Sequence, residues 1–462
     1  MTNGHQNGHH VEVLVRTPRE VNDDILGWPS RLGGRYRLAL AVFGLLAALG
    51  VVGFVLRASD DGFDDYTKWG YLAAAFGFVM TVAMSAPMVA VVPRLARGHW
   101  GRPITRIAEL WGLVGLLLLV VLIPLLITLP SADGRNTFWF VDKYREGWPP
   151  GAPHAWLALL LVFLVVNGLA MLWVSAVPDF AVSRDRGRGG LHRRLAMGWR
   201  GTKRQWRVHR ATLGVLGALY FALMVWALTM VSFDFAQSLV PGMRDSIFPA
   251  WFALGGLQAG LAVVLVTAFL MRTLGGFKDY IGMNQFWSIS KMLLAISLLW
   301  AYFWWSGFIV LWYGKTEIEQ TLLQLFWFGP VRPLFIANMV LNFLAPLLLL
   351  MWNPIRKSVY GPAGVGALVL VGTLIDRVRI FTAAYSVGDP AGEPLDHVPP
   401  FMTPDVPDVM MLVGVVAGAV LVYLLALRVV PVINMWEAKE GLLYLSVRQY
   451  HKLSIKVMGK PD

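Results

Sequence analysis

Five ionisable side chains stand out because long apolar stretches surround them. Asp376, Arg377 and Arg379 lie in the middle of one stretch, Lys291 lies near the start of another, and Asp234 lies at the end of a third. A charge at the centre of a bilayer costs about 2.5–3.5 kcal/mol, so such residues commonly pair with one another or serve a proton or substrate pathway. We therefore take these five residues as proton-pathway candidates.

The spacing within the central group indicates how its charges are compensated. Asp376 and Arg379 are three residues apart and can pair on one helix face, whereas Arg377 is predicted to point elsewhere. One hypothesis is that Asp376 exchanges protons, with Lys291 as an earlier station and Asp234 as the exit. The alternative is an ion pair that only fixes helix packing, and for Asp234 it is a solvated carboxylate at the membrane surface.

The composition is that of a polytopic membrane protein without a redox centre of its own. Of the 462 residues, 56% are hydrophobic and only 15% are charged, which is less charge than soluble domains carry. Cysteine is absent, which excludes disulfides, cysteine-ligated iron–sulfur clusters and covalently attached haem in this chain. No histidine lies well inside an apolar stretch, so we expect no haem and no metal site. The sequence also lacks the phosphate-binding loops of nucleotide-binding proteins.

Ten apolar segments are long enough to cross ~30 Å of hydrocarbon. Basic loops alternate with acidic or balanced loops between them, and the loop 178–210 alone contains ten Arg and Lys residues. By the positive-inside rule this alternation places both termini in the cytoplasm, and it explains the net charge of +12 without nucleic acid. The predicted spans are 36–56, 69–93, 107–129, 155–177, 211–233, 250–271, 286–312, 331–351, 363–385 and 408–430.

The predicted fold is an all-α transmembrane bundle of ten helices. Helices two to five (69–235) and six to nine (236–387) have the same order across the membrane, which suits two four-helix bundles. The first helix with its outer loop (36–68) flanks them, as does the tenth with an outer loop and a cytoplasmic tail (388–462). Residues 1–35 are predicted to form a cytoplasmic N-terminal tail.

Other polar residues and prolines within or beside the spans are predicted to have structural roles rather than functional ones. Asn338 and Asn342 are four residues apart on one helix face, so we expect hydrogen bonds to a neighbouring helix. Glu109 is expected to be an ordinary charge at a helix boundary. Proline removes a backbone donor and should kink a helix wherever it falls inside a span, namely at Pro87, Pro124 and Pro346.

Several short sequence blocks occur along the chain in an order that is typical of one protein family. The signature is SFDFA at 232–236, followed by PG at 241–242 and IFP at 247–249. Further blocks are PDF at 178–180, RDR at 184–186, GWRG at 198–201, WAY at 300–302, LWYG at 311–314 and GTLIDR at 372–377. Over residues 70–440 the chain resembles the NrfD/PsrC-type membrane subunits, and most closely the ActF and ActC subunits of bacterial alternative complex III.

This resemblance implies ten helices in two four-helix bundles, in the inner (plasma) membrane of a bacterium. It implies a subunit of a respiratory or photosynthetic electron-transport complex that oxidises menaquinol or a similar quinol, without a redox centre in this chain. The implied partners are a second NrfD-like subunit, an exoplasmic iron–sulfur subunit and c-type cytochrome subunits. Those partners would carry the iron–sulfur clusters and haem c, and lipids would surround the complex.

Two departures bear on which subunit the chain resembles. Leu228 stands where the quinol-binding ActC type has His, and residues 76–80 read FGFVM where that type has a Gly-x-Gly-His element. The block region 300–314 is similar to the ActF type. The resemblance therefore favours an ActF-like scaffolding subunit with a role in proton translocation. The alternatives are the quinol-binding subunit itself, ActC-like or of the polysulfide-reductase type, and a secondary transporter with a site around Asp376 and Arg377.

Overall fold

The computed structural model describes residues 17–130, 154–187, 190–390, 395, 397–450 and 453–458. Helices dominate these residues, as predicted. The first half contains α1 (Pro18–Gly27), α2 (Gly34–Asp60), α3 (Gly70–Ala83), α4 (Met88–Leu95), α5 (Thr105–Glu109), α6 (Gly115–Thr128), α7 (His154–Asp185), α8 (Gly190–Leu195) and α9 (Lys203–Asp234).

The second half continues in the same manner and ends in a short antiparallel hairpin. It contains α10 (Ile247–Thr273), α11 (Met283–Gly314), α12 (Glu317–Leu323), α13 (Arg332–Met339), α14 (Ala345–Leu350), α15 (Asn353–Arg356), α16 (Tyr360–Tyr385), α17 (Val406–Val429), α18 (Met435–Tyr444), β1 (Leu445–Tyr450) and β2 (Leu453–Met458). Capping boxes begin four of these helices where polar sequence precedes them, at Thr17, Thr202, Thr316 and Asp405.

Nine helical segments within the described residues are long and apolar enough to cross a membrane, as expected of a multi-pass membrane protein. Each of the nine coincides with one of the predicted spans to within several residues. The remaining predicted span, 363–385, coincides with α16, which has 26 residues. It is not among the nine, and it carries three charged residues in its C-terminal half. The count of ten spans and the side on which the termini lie stay predictions.

Two of the three prolines lie at breaks in helical geometry. The second span is interrupted between α3 and α4, where Pro87 lies. The eighth span passes through a π-helical segment, Val340–Leu344, just before Pro346. Pro124 lies inside α6 without ending it. The missing N–H of proline accounts for the first two breaks, because the preceding turn loses a backbone hydrogen bond there.

The first and last spans, α2 and α17, pack against each other along their length. Their backbones touch at two glycines, since a Cβ added at Gly50 would lie 2.5 Å from the Cα of Gly414. Small residues of this kind allow close helix contacts in membranes. In the centre, α3 packs against α10 and α16, and all its residues are buried. The pairs α7–α9 and α10–α11 pack within the two predicted bundles, whose arrangement stays a prediction.

The bundle has two chemically different ends. One end, called here the basic end, carries α8, the start of α9 and α18. The helix α1 also packs at this end. Its residues Val21 and Ile25 are buried, and Trp28 Nε1, just after the helix, donates to Gly275 O at 2.7 Å. Part of the predicted N-terminal tail is therefore folded against the bundle, whereas His5, His9 and His10 lie outside the described residues. The opposite end carries the loops around Asp61, Asp245 and Asp405.

Candidate functional site

Three charged residues of α16 form a buried group, called here the α16 cluster: Asp376, Arg377 and Arg379. Arg379 Nη2 donates to Asp376 Oδ1 at 2.8 Å, and Arg377 Nη1 donates to Asp376 Oδ2 at 3.3 Å. All three side chains are almost completely buried. The predicted pairing of Asp376 with Arg379 is confirmed. The prediction that Arg377 points elsewhere is wrong, because its long side chain folds back onto the carboxylate of the preceding residue.

Two amides of the eighth span extend this cluster. Asn338 Nδ2 donates to Asp376 Oδ1 at 2.8 Å, and Asn342 Nδ2 donates to Asn338 Oδ1 at 2.6 Å. The predicted interhelical hydrogen bonding of the asparagines is confirmed for Asn338, while Asn342 acts through it. The π-helical segment begins between the two amides. Such segments are frequent at functional sites.

Gln258 of α10 continues the polar chain. Its Nε2 donates to Asn342 O at 2.6 Å and to Ser297 Oγ of α11 at 2.8 Å. Asn342 Oδ1 and Gln258 Oε1 are buried and have no hydrogen-bond partner among the described residues. Buried polar atoms in native proteins are nearly always satisfied, so these two oxygens are places where water can be held. Polar side chains from four spans are thus joined at the centre of the second half.

The two guanidinium groups reach different surroundings. Arg377 donates to Thr81 Oγ1 of α3 at 3.1 Å and lies 3.6 Å from the ring centroid of Phe252. Arg379 donates to the carbonyl oxygen of Phe326 and lies 5.9 Å from the ring of Trp251. Arginine does not release its proton in proteins. Within the cluster, Asp376 is therefore the group that could exchange one, and three donors converge on it.

The other two predicted pathway residues lie elsewhere. Asp234 is the last residue of α9 and is completely buried, so the alternative of a solvated surface carboxylate does not describe it. Its backbone oxygen accepts from Ser238 Oγ at 3.2 Å. Lys291 is exposed on the outside of α11, with its Nζ 4.0 Å from the ring centroid of Trp287. The structure thus joins Asp376, Arg377 and Arg379 and leaves Lys291 outside their buried network.

A second buried ionic group, called here the basic-end cluster, contains Arg94, Arg106, Glu109, Asp179 and Glu437. Arg106 donates to Glu109 at 3.2 Å and to Asp179 at 3.0 Å. Arg94 donates to Glu437 at 3.0 Å and also pairs with Glu109. Arg106, Glu109 and Asp179 are at most 1% exposed. The prediction that Glu109 is an ordinary boundary charge is wrong, because two arginines enclose it inside the bundle.

Neutral groups complete the basic-end cluster. Ser175 Oγ accepts from both arginines, at 3.1 and 3.2 Å. The backbone N–H of Met435 donates to Asp179 at 3.1 Å, and Asn434 Nδ2 donates to Glu437 at 2.6 Å. The partners of Arg94 are 15 and 343 residues away in sequence, which is why sequence reasoning missed the cluster. The available signal was the acid Glu109 directly after a basic loop, together with the PDF block.

At the opposite end, Arg57 of α2 joins the start of α17. It lies 2.7 Å from Asp61, 2.6 Å from Asp405 and 2.8 Å from Asp408. Burial raises the pKa of Asp405, but hydrogen bonds from the Asp408 backbone and from Arg57 outweigh it and hold that pKa below its usual range. This group ties the first span to the last.

Within the described part of the chain, no group of three or more His, Asp or Glu side chains is placed to hold a metal ion. No protein-family model and no curated protein matches this chain. The function is therefore inferred from the buried clusters and from the sequence blocks that surround them.

Proposed function

We propose that this chain is an NrfD-like subunit of a quinol-oxidising electron-transport complex of the alternative complex III type, in a bacterial inner membrane. The observation that carries the proposal is the buried α16 cluster, of which Asp376 and Arg377 lie in the GTLIDR block and Arg379 lies two residues after it. The WAY block at 300–302 lies next to this cluster. A Cβ added at Gly255 of α10 would lie 2.8 Å from Arg377 and 3.4 Å from Trp300 of the WAY block. Blocks far apart in sequence thus meet around one buried group.

In this proposal the chain is ActF-like and acts as a scaffold. The buried Leu228 occupies the position at which the quinol-binding type has His, and an apolar side chain offers no hydrogen bond to a quinol hydroxyl. Quinol oxidation is therefore assigned to the second NrfD-like subunit. Iron–sulfur clusters and haem c are assigned to the exoplasmic and cytochrome subunits. The α16 cluster supplies the polar group through which this subunit takes part in proton translocation.

The proposal includes ten spans, two four-helix bundles and cytoplasmic termini. Single cysteines test the orientation, because the native chain has none. A cysteine at Asp61 should react with an impermeant thiol reagent added to intact cells, and one at the exposed Arg193 should react only after the membrane is opened. Labelling of Arg193→Cys in intact cells would contradict the proposed orientation.

The central experiment is affinity purification of the tagged chain from its native membrane in a mild detergent. We expect c-type haem absorbance, iron–sulfur signals in electron paramagnetic resonance and quinol oxidation activity to co-purify. An unrelated tagged multi-pass protein from the same membrane is the control. A chain that purifies without redox-active partners would refute the proposal. Solute uptake by vesicles that contain such a chain alone would support the transporter alternative.

A further inference from the structure

A cavity of about 590 Å³ opens at the basic end, between α4 and the loop that follows it, the start of the α9 span, and α18. This volume is within the range of sites that bind small organic molecules. Its wall is partly polar and contains four arginines and two glutamates: Arg94, Arg97, Arg102, Arg210, Glu437 and Glu440. The cavity adjoins the basic-end cluster, because Arg94 and Glu437 belong to both.

The arginines outnumber the acids on this wall, and both acids are already engaged. Arg102 and Arg210 share Glu440, at 3.7 and 3.2 Å from its carboxylate. Arg94 is paired within the basic-end cluster. The side chain of Arg97 makes no ion pair with any described residue. The cavity therefore has an excess of positive charge, which an anion inside it would balance.

The four arginines reach the cavity from separate parts of the chain. Arg94 lies in α4, Arg97 and Arg102 lie in the loop after it, and Arg210 lies in α9. The positive-inside rule accounts for basic residues in loops, but it does not require loops that are distant in sequence to present them around one cavity. Like charges that are brought together repel each other. Their convergence on one cavity indicates that it holds an anion.

An apolar track leads away from this cavity along α9. It begins at Ala211 on the cavity wall. Val215, Ala218 and Ala222 follow at helical spacing on the same face of α9, and all four residues are exposed. They belong to the fifth predicted span, so their exposed face is expected to meet hydrocarbon. The arginines thus lie where a lipid head group would be, and the track lies where an acyl chain would be.

We propose that this cavity binds the phosphate head group of one anionic phospholipid, with an acyl chain along the 211–222 face of α9. The arginines donate to the phosphate oxygens, for which guanidinium geometry is well suited. Basic pockets between membrane helices bind anionic lipid head groups in this way. A soluble phosphate would also balance the arginines, but it would leave the apolar track without an occupant. The site is separate from the α16 cluster and goes beyond the proposed electron-transport role.

The test is native mass spectrometry of the purified full-length protein, titrated with phosphatidylglycerol. Phosphatidylcholine with the same acyl chains is the comparison lipid, because its head group has no net charge. We expect one phosphatidylglycerol to bind at concentrations at which phosphatidylcholine does not. Equal binding of the two lipids would overturn the proposal, since the arginines would then not select the head group.

Arg97→Gln removes the arginine that has no acidic partner, at an exposed position where folding should not depend on it. The affinity for the first phosphatidylglycerol should fall about fivefold, as expected for one basic residue beside an anionic head group. Arg193→Gln is the matched control, because it removes an exposed arginine at the same end but outside the cavity wall. Equal losses in the two variants would show a general attraction to this end and overturn the site.

The apolar track and the source of the phosphate are tested separately. Ala218→Phe places a large ring on the track and should weaken phosphatidylglycerol binding, whereas Ala48→Phe, at an exposed position of α2, should not. Equal affinities of these two variants would contradict the assigned path of the acyl chain. Inorganic phosphate should fail to displace the bound lipid at equal concentration. Displacement as effective as that by unlabelled phosphatidylglycerol would make the ligand a soluble anion and overturn the proposal.

These readouts do not depend on redox partners. If the purified chain lacks haem and iron–sulfur partners but binds phosphatidylglycerol in an Arg97-dependent manner, the proposed function fails and the lipid site remains. If the partners co-purify and lipid binding is insensitive to Arg97, the lipid site fails and the proposed function remains.

Discussion

The two buried ionic clusters are built in opposite ways. All charges of the α16 cluster come from four consecutive residues of one helix, Asp376 to Arg379. The basic-end cluster draws its charges from α4, α5, α7 and α18, up to 343 residues apart. The first has more cations than anions, and the second has three acids for two arginines. A cluster within one helix can compensate its charge as soon as that helix forms, whereas the other exists only when four elements have met.

The difference separates two uses of buried charge. Breaking the basic-end cluster removes ion pairs between helices and should loosen the packing of several helices at once. Breaking the α16 cluster removes ion pairs within one helix and leaves only single hydrogen bonds to its neighbours at stake. Both clusters pay a desolvation penalty, so removal of a single partner is costly in either. The two clusters should differ in how much stability is lost on such a removal and in how many helices are affected.

The largest effect is expected at the basic end, for Arg106→Met. The change leaves Glu109 and Asp179 buried with less compensation, so we expect a loss of about 5 kcal/mol, the upper end for a broken buried pair. Thermal denaturation of the purified protein in detergent measures it. Arg193→Met alters an exposed arginine of α8 and should cost little. Similar melting temperatures for the two variants would contradict the role assigned to the cluster.

Asp376→Asn should have the next largest effect and also tests the predicted proton relay. We expect a loss of about 3 kcal/mol, the lower end for a broken buried pair, because Asn keeps one acceptor oxygen for its donors. In the assembled complex the ratio of protons moved to electrons transferred is the second readout. A folded variant with an unchanged ratio would exclude the relay and leave the structural ion pair.

A smaller effect is expected for Asn338→Leu, which removes the amide donor to Asp376. Hydrogen bonds to charged groups contribute about 1.5–3 kcal/mol, against about 1 kcal/mol for neutral ones. Asn167→Leu is the matched comparison, because Asn167 Nδ2 donates to the neutral Leu216 O at 3.1 Å in the other half. Thermal denaturation should show the greater loss for Asn338→Leu. A greater loss for Asn167→Leu would show that Asp376 does not depend on its amide.

The smallest effect on stability is expected for Asp405→Asn, and this effect depends on pH. Asp405 is half-exposed and belongs to neither buried cluster. Its folded-state pKa is held below the usual value, so its stabilising contribution is present at neutral pH and is lost as pH falls through that pKa, below about 3.9. Asp405→Asn keeps the N-cap and should cost under about 1 kcal/mol at neutral pH, and less in acid. Asp64→Asn, at an exposed position, is the control variant in the same measurement of stability against pH.

Sequence reasoning reached the features that are local in the chain. Apolar length predicts where the spans lie, because burial in lipid depends on consecutive residues. The pairing of Asp376 with Arg379 follows from a separation of three residues. The contacts of Arg377 with Asp376 and Thr81 do not follow from helix periodicity, since a long side chain can fold in several directions. The basic-end cluster was out of reach because its partners meet only through the packing of distant helices.

The contact between Gly50 and Gly414 has a consequence for biogenesis. During synthesis α2 leaves the ribosome long before α17 does. Until α17 is made, Gly50 lacks its contact with Gly414, and Arg57 lacks its ion pairs with Asp405 and Asp408. A chain that stops short of α17 therefore leaves Gly50 without its packing partner and leaves Arg57 with Asp61 as the remaining one of these three acids.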